Sequence, residues 1–226
     1  MPIAVFDIDG TLTDTMDVDV ECYEGAIREI LGIEVPATWP SMDEVTDSAI
    51  LETTCQEHGH PLPDGGTLRR IADRVSELLT IQLRERPERF TPIPGAREIF
   101  AGLRGMGWRV AMATGAWRPS TVVKLAGARI PTDGVPLATS TEYRARRDII
   151  RHAVSAFSEQ DTDVVVYVGD GVWDGRAATS LGYGFVGLGP TENEAALRGV
   201  GASGYVHDLS DAARLVSQLE LAGHEF

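Results

Sequence analysis

The sequence predicts an α/β fold, a parallel sheet covered by helices, with a helical subdomain inserted into it. Short apolar runs without polar alternation recur along the chain, as expected of strands buried on both faces of a parallel sheet. Helical patterns separate these runs. Residues 15–92 break the alternation, since they contain helical patterns and no convincing strand.

The first predicted strand, Ile3–Phe6, is a continuous apolar run that ends at the polar segment DIDGT. Similar runs cover residues 110–113, 164–168 and 185–188. The helical patterns between them include residues 96–103 and residues 148–157, which complete the alternation of a parallel sheet. Ligands of such sheets bind beyond the carboxyl ends of the strands, so polar residues at these ends are the first candidates for a site.

The inserted stretch contains three predicted helices. The second begins at Ser41, with Glu44 three residues later in a capping-box pattern. The third spaces its apolar residues at helical intervals and precedes a proline-rich segment. We therefore predict an α/β core of residues 1–14 and 93–226 and a helical cap of residues 15–92.

Composition excludes several classes of protein. Acidic residues number 34 against 20 basic ones, for a formal charge of -14, which is the wrong sign for broad binding to nucleic acid or to anionic membranes. No apolar run approaches the roughly 20 residues of a membrane span. Cys22 and Cys55 lie far apart, as expected of free thiols in a reducing compartment. We expect a cytoplasmic protein, a monomer or a homodimer, acting on a small molecule.

The end of the first strand carries the first acidic pair. Asp7 and Asp9 are two residues apart on an extended chain, so their side chains project to the same side. Two carboxylates this close repel unless a cation or a shared proton intervenes. Gly10 lets the backbone approach a ligand closely. Taken alone, the segment could equally be a turn with capping carboxylates.

A second acidic pair, Asp170 and Asp174, follows the predicted strand of residues 164–168. A lone Gly-Asp-Gly segment is most often a turn, but here it is the second carboxylate group at a strand end. Hard cations such as Mg2+ prefer oxygen ligands, whereas zinc prefers Cys or His at ligand spacing, which the five histidines do not form. Mg2+ is therefore the expected cofactor.

Together these residues resemble the haloacid dehalogenase superfamily of hydrolases, in a form with a helical cap and similar to phosphoglycolate phosphatases. The segment DIDGT at residues 7–11 resembles the first motif of the family, Thr114 its second, and GDGVWD at residues 169–174 its fourth. The resemblance covers nearly the whole chain and implies a Rossmann-like sheet core. Gly115 stands where the family often has Asn after the Thr.

The resemblance implies a Mg2+-dependent phosphatase that forms an aspartyl-phosphate intermediate. Asp7 would be the nucleophile, and Asp9 would be the general acid and base. The metal would be held by Asp7, Asp170 and the backbone carbonyl of Asp9, with Asp174 orienting the site. Thr114, Gly115 and a basic residue of the third motif would bind the phosphoryl oxygens.

The basic residue of the third motif has three candidates, Arg144, Arg146 and Arg147. We predict Arg147, because it heads the helical run that starts at Asp148, with Arg144 as second choice.

Two other functions remain open. A sugar phosphomutase would use the same nucleophile and acid, and a phosphorylatable regulatory domain of the receiver type also carries carboxylates at strand ends. The resemblance suggests small phosphate monoesters such as phosphoglycolate as substrates. Lys124, the single lysine of the chain, lies outside the predicted cap, which argues against phosphonate cleavage by a cap lysine.

Overall fold

The computed structural model describes residues 1–38, 41–157 and 164–224. Within these residues, the strands in chain order are β1 (Ile3–Phe6), β2 (Thr13–Asp14), β3 (Thr91–Pro92), β4 (Arg109–Ala113), β5 (Leu137–Ala138), β6 (Val165–Gly169), β7 (Gly184–Leu188) and β8 (Gly204–Val206). The helices are α1 (Met16–Leu31), α2 (Asp47–Glu57), α3 (Gly65–Glu85), α4 (Ala96–Gly105), α5 (Arg118–Ala128), α6 (Arg146–Ser155), α7 (Val172–Ser180), α8 (Thr191–Gly199) and α9 (Ala212–Gly223), with a 3-10 turn at Pro87–Arg89.

Six of the described strands form one parallel sheet in the order β5-β4-β1-β6-β7-β8. The first strand lies between β4 and β6, with Ile3 opposite both Arg109 and Val165. The carboxyl ends of β1, β4 and β6 therefore meet at one edge of the sheet. This architecture confirms the predicted α/β class.

Each face of the sheet packs on its own hydrophobic cluster, because successive residues of a strand point to opposite faces. Ala4 and Phe6 of β1 belong to one cluster, which also contains residues of α4 and α9. Ile3 and Val5 belong to the other, which contains residues of α6 and α7. Since β1 is buried on both faces, the loop that follows it starts from a rigid base.

Helices α1, α2 and α3 share a separate hydrophobic cluster, to which core residue Trp117 also contributes. The chain leaves and re-enters the core at β2 and β3, which pair antiparallel and place Thr13 opposite Pro92. The sequence predicted no strand here, since two-residue strands are too short to show a pattern. No helix in the described residues combines the length and the apolar character needed to cross a membrane.

The predicted start of the second helix is wrong. Helix α2 begins at Asp47 rather than Ser41, and the side chain of Thr46 caps it by accepting from the amide of Ala49. Glu44 does not complete a capping box, because its carboxylate accepts instead from the amide of Arg146 at 2.7 Å.

Candidate active site

Asp7 and Asp9 lie in the loop that follows β1, and both are buried. Hydrogen bonds close this loop tightly, since the three amides of residues 11–13 all donate to the carbonyl of Ile8. The amide of Asp7 donates to the carbonyl of Val168 at 2.9 Å, which ties the loop to the end of β6. The acidic pair is thus held at the sheet edge by backbone contacts.

Gly10 allows the loops after β1 and β6 to meet. Its φ is +78°, and a Cβ at this position would lie 2.1 Å from Oδ2 of Asp170. The hydroxyl of Thr11 donates to Oδ1 of Asp170 at 3.2 Å. A side chain at residue 10 would therefore push the carboxylate of Asp170 away from the loop that carries Asp7 and Asp9.

The loops bring three carboxylates together. Asp7, Asp170 and Asp174 each offer an oxygen within 4.8 Å of the others. Burial raises the pKa of Asp170 to about 7, and the charge of Asp174 adds to this shift. Burial also raises the pKa of Asp7 well above its usual value, with Asp174 contributing and Arg146 opposing. Asp7 and Asp174 are buried and Asp170 is half-buried. Oxygen donors that lie this close and repel one another fit a hard divalent cation.

The cluster differs from the predicted metal set of Asp7, Asp9 and Asp170. Asp174, predicted to orient the site, lies in the cluster, because α7 begins directly after the loop and the Gly171 amide donates to Oδ2 of Asp174 at 3.0 Å. The carboxylate of Asp9 points elsewhere. Its assignment to the metal through the backbone carbonyl stays a prediction.

Arg146, rather than the predicted Arg147, is the arginine at this cluster. Its Nη1 lies 3.1 Å from Oδ1 of Asp7 and 2.8 Å from Oδ1 of Asp174. The Arg147 side chain is 61% exposed, and its Nε lies 3.9 Å from Asp148. Arg144 is also exposed and pairs with Glu52. The choice of Arg147 for the third motif is therefore corrected to Arg146.

Helical periodicity explains this correction. Arg146, Ile149, Ile150 and Ala153 are all buried and share one face of α6, at the spacing i, i+3, i+4 and i+7. Adjacent residues of a helix point about 100° apart, so Arg147 cannot share that face. The apolar positions of the sequence already contained this signal.

Thr114 and Gly115 follow β4 at the same edge, and both line the cavity beside Asp7. Thr114 is buried, and its hydroxyl accepts from the amide of Ala116 at 3.2 Å. A Cβ at residue 115 would lie 2.5 Å from Nη2 of Arg146 and 2.8 Å from the carbonyl oxygen of Val45. Residue 115 is therefore Gly, where the family often has Asn, because Arg146 and the chain before α2 occupy the space that a side chain would need.

Lys124 is a site residue that the sequence reasoning missed. It lies on α5 with a fully buried side chain, and its Nζ is 2.6 Å from Oδ2 of Asp9 and 2.9 Å from Oδ2 of Asp19. Burial alone would lower the pKa of Lys124, but Asp19, Asp9 and Asp47 together raise it above its usual value. Lys124 was detectable in principle, because it shares the buried face of α5 with Thr121, Leu125 and Ala128.

The second oxygen of Asp9 is also bound. The hydroxyl of Thr15 donates to Oδ1 of Asp9 at 2.7 Å. Asp9 therefore connects three elements: the loop after β1, the chain at the start of α1, and α5.

A cavity lies between this sheet edge and the helices α1 and α2. The core side of its wall includes Asp7, Asp9, Thr114, Gly115 and Arg146. The opposite side includes residues of α1 and of the segment from Val45 to Ile50. Asp7 of the acidic cluster thus lines a partly open cleft of the kind in which small ligands bind.

A family model for haloacid dehalogenase-like hydrolases matches residues 1–182. The chain belongs to this family. It is therefore a hydrolase, and the first, second and fourth motifs of the family lie together at one sheet edge. No curated protein matches the sequence.

Solved structures share the fold across the whole chain. A hydrolase from Pseudomonas syringae has a TM-score of 0.73 and 18% identity, and the alignment covers 96% of this chain and 99% of that one. A β-phosphoglucomutase from Clostridium difficile has a TM-score of 0.73 and 13% identity, over 97% and 98% of the two chains. A predicted phosphoglycolate phosphatase from Haemophilus somnus has a TM-score of 0.64 and 15% identity, over 96% and 98%.

Proposed function

We propose that this hydrolase is a Mg2+-dependent phosphatase that releases phosphate from small monoesters through a phosphorylated Asp7. The observation that carries the proposal is the cluster of Asp7, Asp170 and Asp174, in which Asp7 lines a cavity and one arginine contacts Asp7 and Asp174. Asp7 and Asp170 would hold the metal with the backbone carbonyl of Asp9, and Asp174 would orient the site. Bound Mg2+ supplies positive charge that offsets the carboxylates and the phosphoryl oxygens.

In the first step, a carboxylate oxygen of Asp7 attacks phosphorus as the bond to the leaving alcohol breaks. Asp9 gives a proton to the alcohol oxygen. In the second step, Asp9 takes a proton from the attacking water, and the bond between phosphorus and Asp7 breaks. Arg146 and Thr114, with the amide of Gly115, bind the phosphoryl oxygens and stabilise their charge.

Asp9 can hold a proton without a large movement of its neighbours. The hydroxyl of Thr15 now donates to Asp9, and it also shares a hydrogen bond of 2.6 Å with the hydroxyl of Thr13. Because a hydroxyl donates one hydrogen bond and can accept others, Thr15 can turn its proton toward the Thr13 hydroxyl and accept a hydrogen bond from a protonated Oδ1 of Asp9. Lys124 keeps the other oxygen of Asp9 in place.

Two variants test the proposal by release of phosphate from monoesters in the presence of Mg2+. Asp7→Asn keeps the shape of the side chain but cannot be phosphorylated, so nearly all turnover should disappear while the thermal unfolding profile stays cooperative. Asp9→Asn should slow poor leaving groups more than a nitrophenolate, which needs little protonation. Equal losses on both esters would remove Asp9 from the acid role, and full turnover in excess chelator would exclude the metal.

Product analysis separates the other functions. A sugar phosphomutase would return the phosphoryl group to the sugar, and a receiver-type regulatory domain would not sustain turnover. Phosphoglycolate, which the sequence resemblance suggests, is one of the small esters to be assayed. We also expect a cytoplasmic location, with which the two buried free cysteines, Cys22 and Cys55, agree.

A further inference from the structure

The cavity beside Asp7 is small. Its volume is about 60 Å3. The side of the wall formed by α1, by the segment from Val45 to Ile50 and by α7 combines apolar and polar residues. The apolar ones are Met16, Val20, Val45, Ile50 and Trp173, and the polar ones are Asp19, Tyr23, Glu24, Thr46 and Asp47.

The charges of this wall are almost entirely negative. Among the described residues that line the cavity, Arg146 is the single cation, and its guanidinium already contacts Asp7 and Asp174. Asp19 is paired with Lys124. Glu24 and Asp47 form no ion pair in the described residues, although the charge of Lys124 acts on Asp47 from a distance. A ligand that extends from the phosphoryl position toward α1 and α2 therefore meets two acidic side chains that no cation contacts.

The hydroxyl donors of the same wall are already engaged. The Tyr23 hydroxyl donates to the carbonyl of Asp47 at 2.6 Å, and the Thr46 hydroxyl donates to the carbonyl of Arg144 at 2.7 Å. Neither is free to donate to a ligand without losing that bond.

Asp47 is fixed in position and keeps one acceptor for a ligand. Its Oδ2 accepts from the amide of Trp117 at 2.7 Å, and its own amide donates to the carbonyl of Gly115 at 2.8 Å. No hydrogen bond to Oδ1 occurs within the described residues. This oxygen belongs to a residue that is 91% buried, since 9% is exposed, and that lines the cavity.

We infer, on the basis of the proposed phosphatase activity, that the leaving alcohol of the substrate carries a hydroxyl or ammonium donor and no carboxylate. A donor on the alcohol would hydrogen-bond to Oδ1 of Asp47, the oxygen that the Trp117 amide leaves free. Above about pH 8, where the Asp47 carboxyl has lost its proton, a carboxylate in the same place would lose its hydration beside Asp47 and Glu24 without a cation to pair with. Amino alcohol and polyol phosphates fit this wall, and phosphoglycolate does not.

Three esters of nearly the same size test this inference: 2-hydroxyethyl phosphate, phosphoethanolamine and phosphoglycolate. They differ in the end group, which is a hydroxyl, an ammonium or a carboxylate. At pH 8.5 with Mg2+, kcat/KM from phosphate release should be at least about tenfold lower for phosphoglycolate than for the other two, a factor that corresponds to about 1.4 kcal/mol. Equal rates for all three, or a preference for phosphoglycolate, overturn the inference.

Asp47→Asn tests whether this residue is the source of the discrimination. The amide keeps an oxygen for the Trp117 amide but removes the negative charge, so the disadvantage of phosphoglycolate should shrink several-fold. Glu57→Gln is the matched control, because Glu57 is exposed at the other end of α2 and does not line the cavity. An unchanged ratio in Asp47→Asn contradicts the role of Asp47 even if the wild-type ranking holds.

Binding to the Asp7→Asn variant separates this inference from the proposed function. Calorimetric titration of the same three esters should give the same ranking without turnover. If the esters bind in this order but the wild-type protein hydrolyses none of them, the phosphatase proposal fails. The inferred preference for a hydroxyl or ammonium end group then still stands. If all are hydrolysed and bound equally, the phosphatase stands and the assignment fails, and an absence of both binding and turnover contradicts both.

Discussion

Arg146 places one guanidinium between two buried carboxylates, whereas its neighbour Arg147 extends into solvent. Arg146→Lys keeps the charge but loses the planar fork of donors, so it cannot contact Asp7, Asp174 and the carbonyl of Val45 together. We expect kcat/KM for a phosphate ester to fall by about 100-fold, as when one preorganised donor is lost.

Arg147→Lys is the matched control and should stay within about twofold of wild type, as expected for an exposed charge. Thermal unfolding of both variants shows whether a loss of rate reflects a loss of fold. Equal losses in the two variants would contradict the assignment of Arg146.

Lys124 pairs with two carboxylates from different parts of the chain, the buried Asp9 and the half-buried Asp19. Lys124→Met keeps the length and apolar stem of the side chain but leaves both carboxylates without a cation. The free energy of unfolding in urea should fall by about 3–5 kcal/mol, the usual cost of removing one partner of a buried ion pair.

The second substitution Asp19→Asn in the Lys124→Met background should recover part of this loss, because one unpaired charge is then gone. A destabilisation of the single variant by less than about 1 kcal/mol would mean that water already screens the pair, as at an exposed salt bridge.

The carboxyl group of Asp47 should make the free energy of unfolding decrease as the pH rises. Burial raises the pKa of its carboxyl from 3.8 to about 8, with Asp19 adding to the shift and Lys124 opposing it. Between about pH 4 and pH 8 the folded chain holds a proton that the unfolded chain has lost, so this group destabilises the fold as pH rises. The stability of Asp47→Asn relative to wild type should therefore increase from pH 4 to pH 8 and level off above it. Urea titrations at a series of pH values measure this difference, and a constant difference would contradict the shift.

At the scale of elements, the segment that starts α2 docks on the loops after β4 and before α6. The carbonyl of Val45 accepts from Nη2 of Arg146 at 2.8 Å, and the amide of Asp47 donates to the carbonyl of Gly115. Thr46 donates to the carbonyl of Arg144. Every one of these contacts joins the helical insertion to a residue at or next to the catalytic edge.

Gly115→Ala should disturb this docking, because a Cβ would lie 2.5 Å from Nη2 of Arg146 and 2.8 Å from the Val45 carbonyl. We expect a loss of about 1–3 kcal/mol of stability, as for other overpacked positions, together with a lower kcat/KM. Gly105→Ala is the control, since nothing lies within 4 Å of its Cβ and the residue ends α4. Its stability should stay the same or rise slightly. If Gly115→Ala keeps the stability and rate of the wild type, the loop after β4 and the segment before α2 can move apart without a loss of stability.

At the scale of the molecule, the helical insertion lies on the core and forms one side of the cavity. Besides the contacts of the segment before α2, the hydroxyls of Ser48 and Ser140 lie 2.8 Å apart across the boundary. Lys124 of the core pairs with Asp19 of the insertion. We expect these contacts to open when a substrate enters, and their closure would exclude water from the reacting phosphoryl group.

A reversible crosslink tests this opening. The double variant Ser48→Cys, Ser140→Cys should form a disulfide under oxidation, and turnover should then fall by about tenfold or more and return on reduction, as expected when lid opening is required. Each single variant controls for the substitution, and mass spectrometry confirms the bond. Full turnover with the disulfide formed would show that substrate reaches Asp7 without movement of α2.

The sequence predicted the strands well where burial on both faces leaves a continuous apolar run. Ile3–Phe6 agrees in both bounds, and the runs at residues 110–113, 164–168 and 185–188 each fall within one residue of β4, β6 and β7 at each end. The start of α2 was wrong because Ser41 and Glu44 fit a local capping pattern, while Glu44 instead binds an amide 102 residues away.

By itself, the sequence determined the α/β class, the inserted helices and the placement of Asp7, Thr114 and Asp170 at strand ends, because these features depend on local periodicity and on the order of motifs. Only the tertiary structure decided that Arg146 rather than Arg147 contacts Asp7, that Asp174 joins the carboxylates, and that Lys124 pairs with Asp9 and Asp19. Each of these contacts joins residues that are far apart in the chain. Their geometry is set by how helices pack on the sheet, since the cost of burying a charge selects the partner that packing brings within reach.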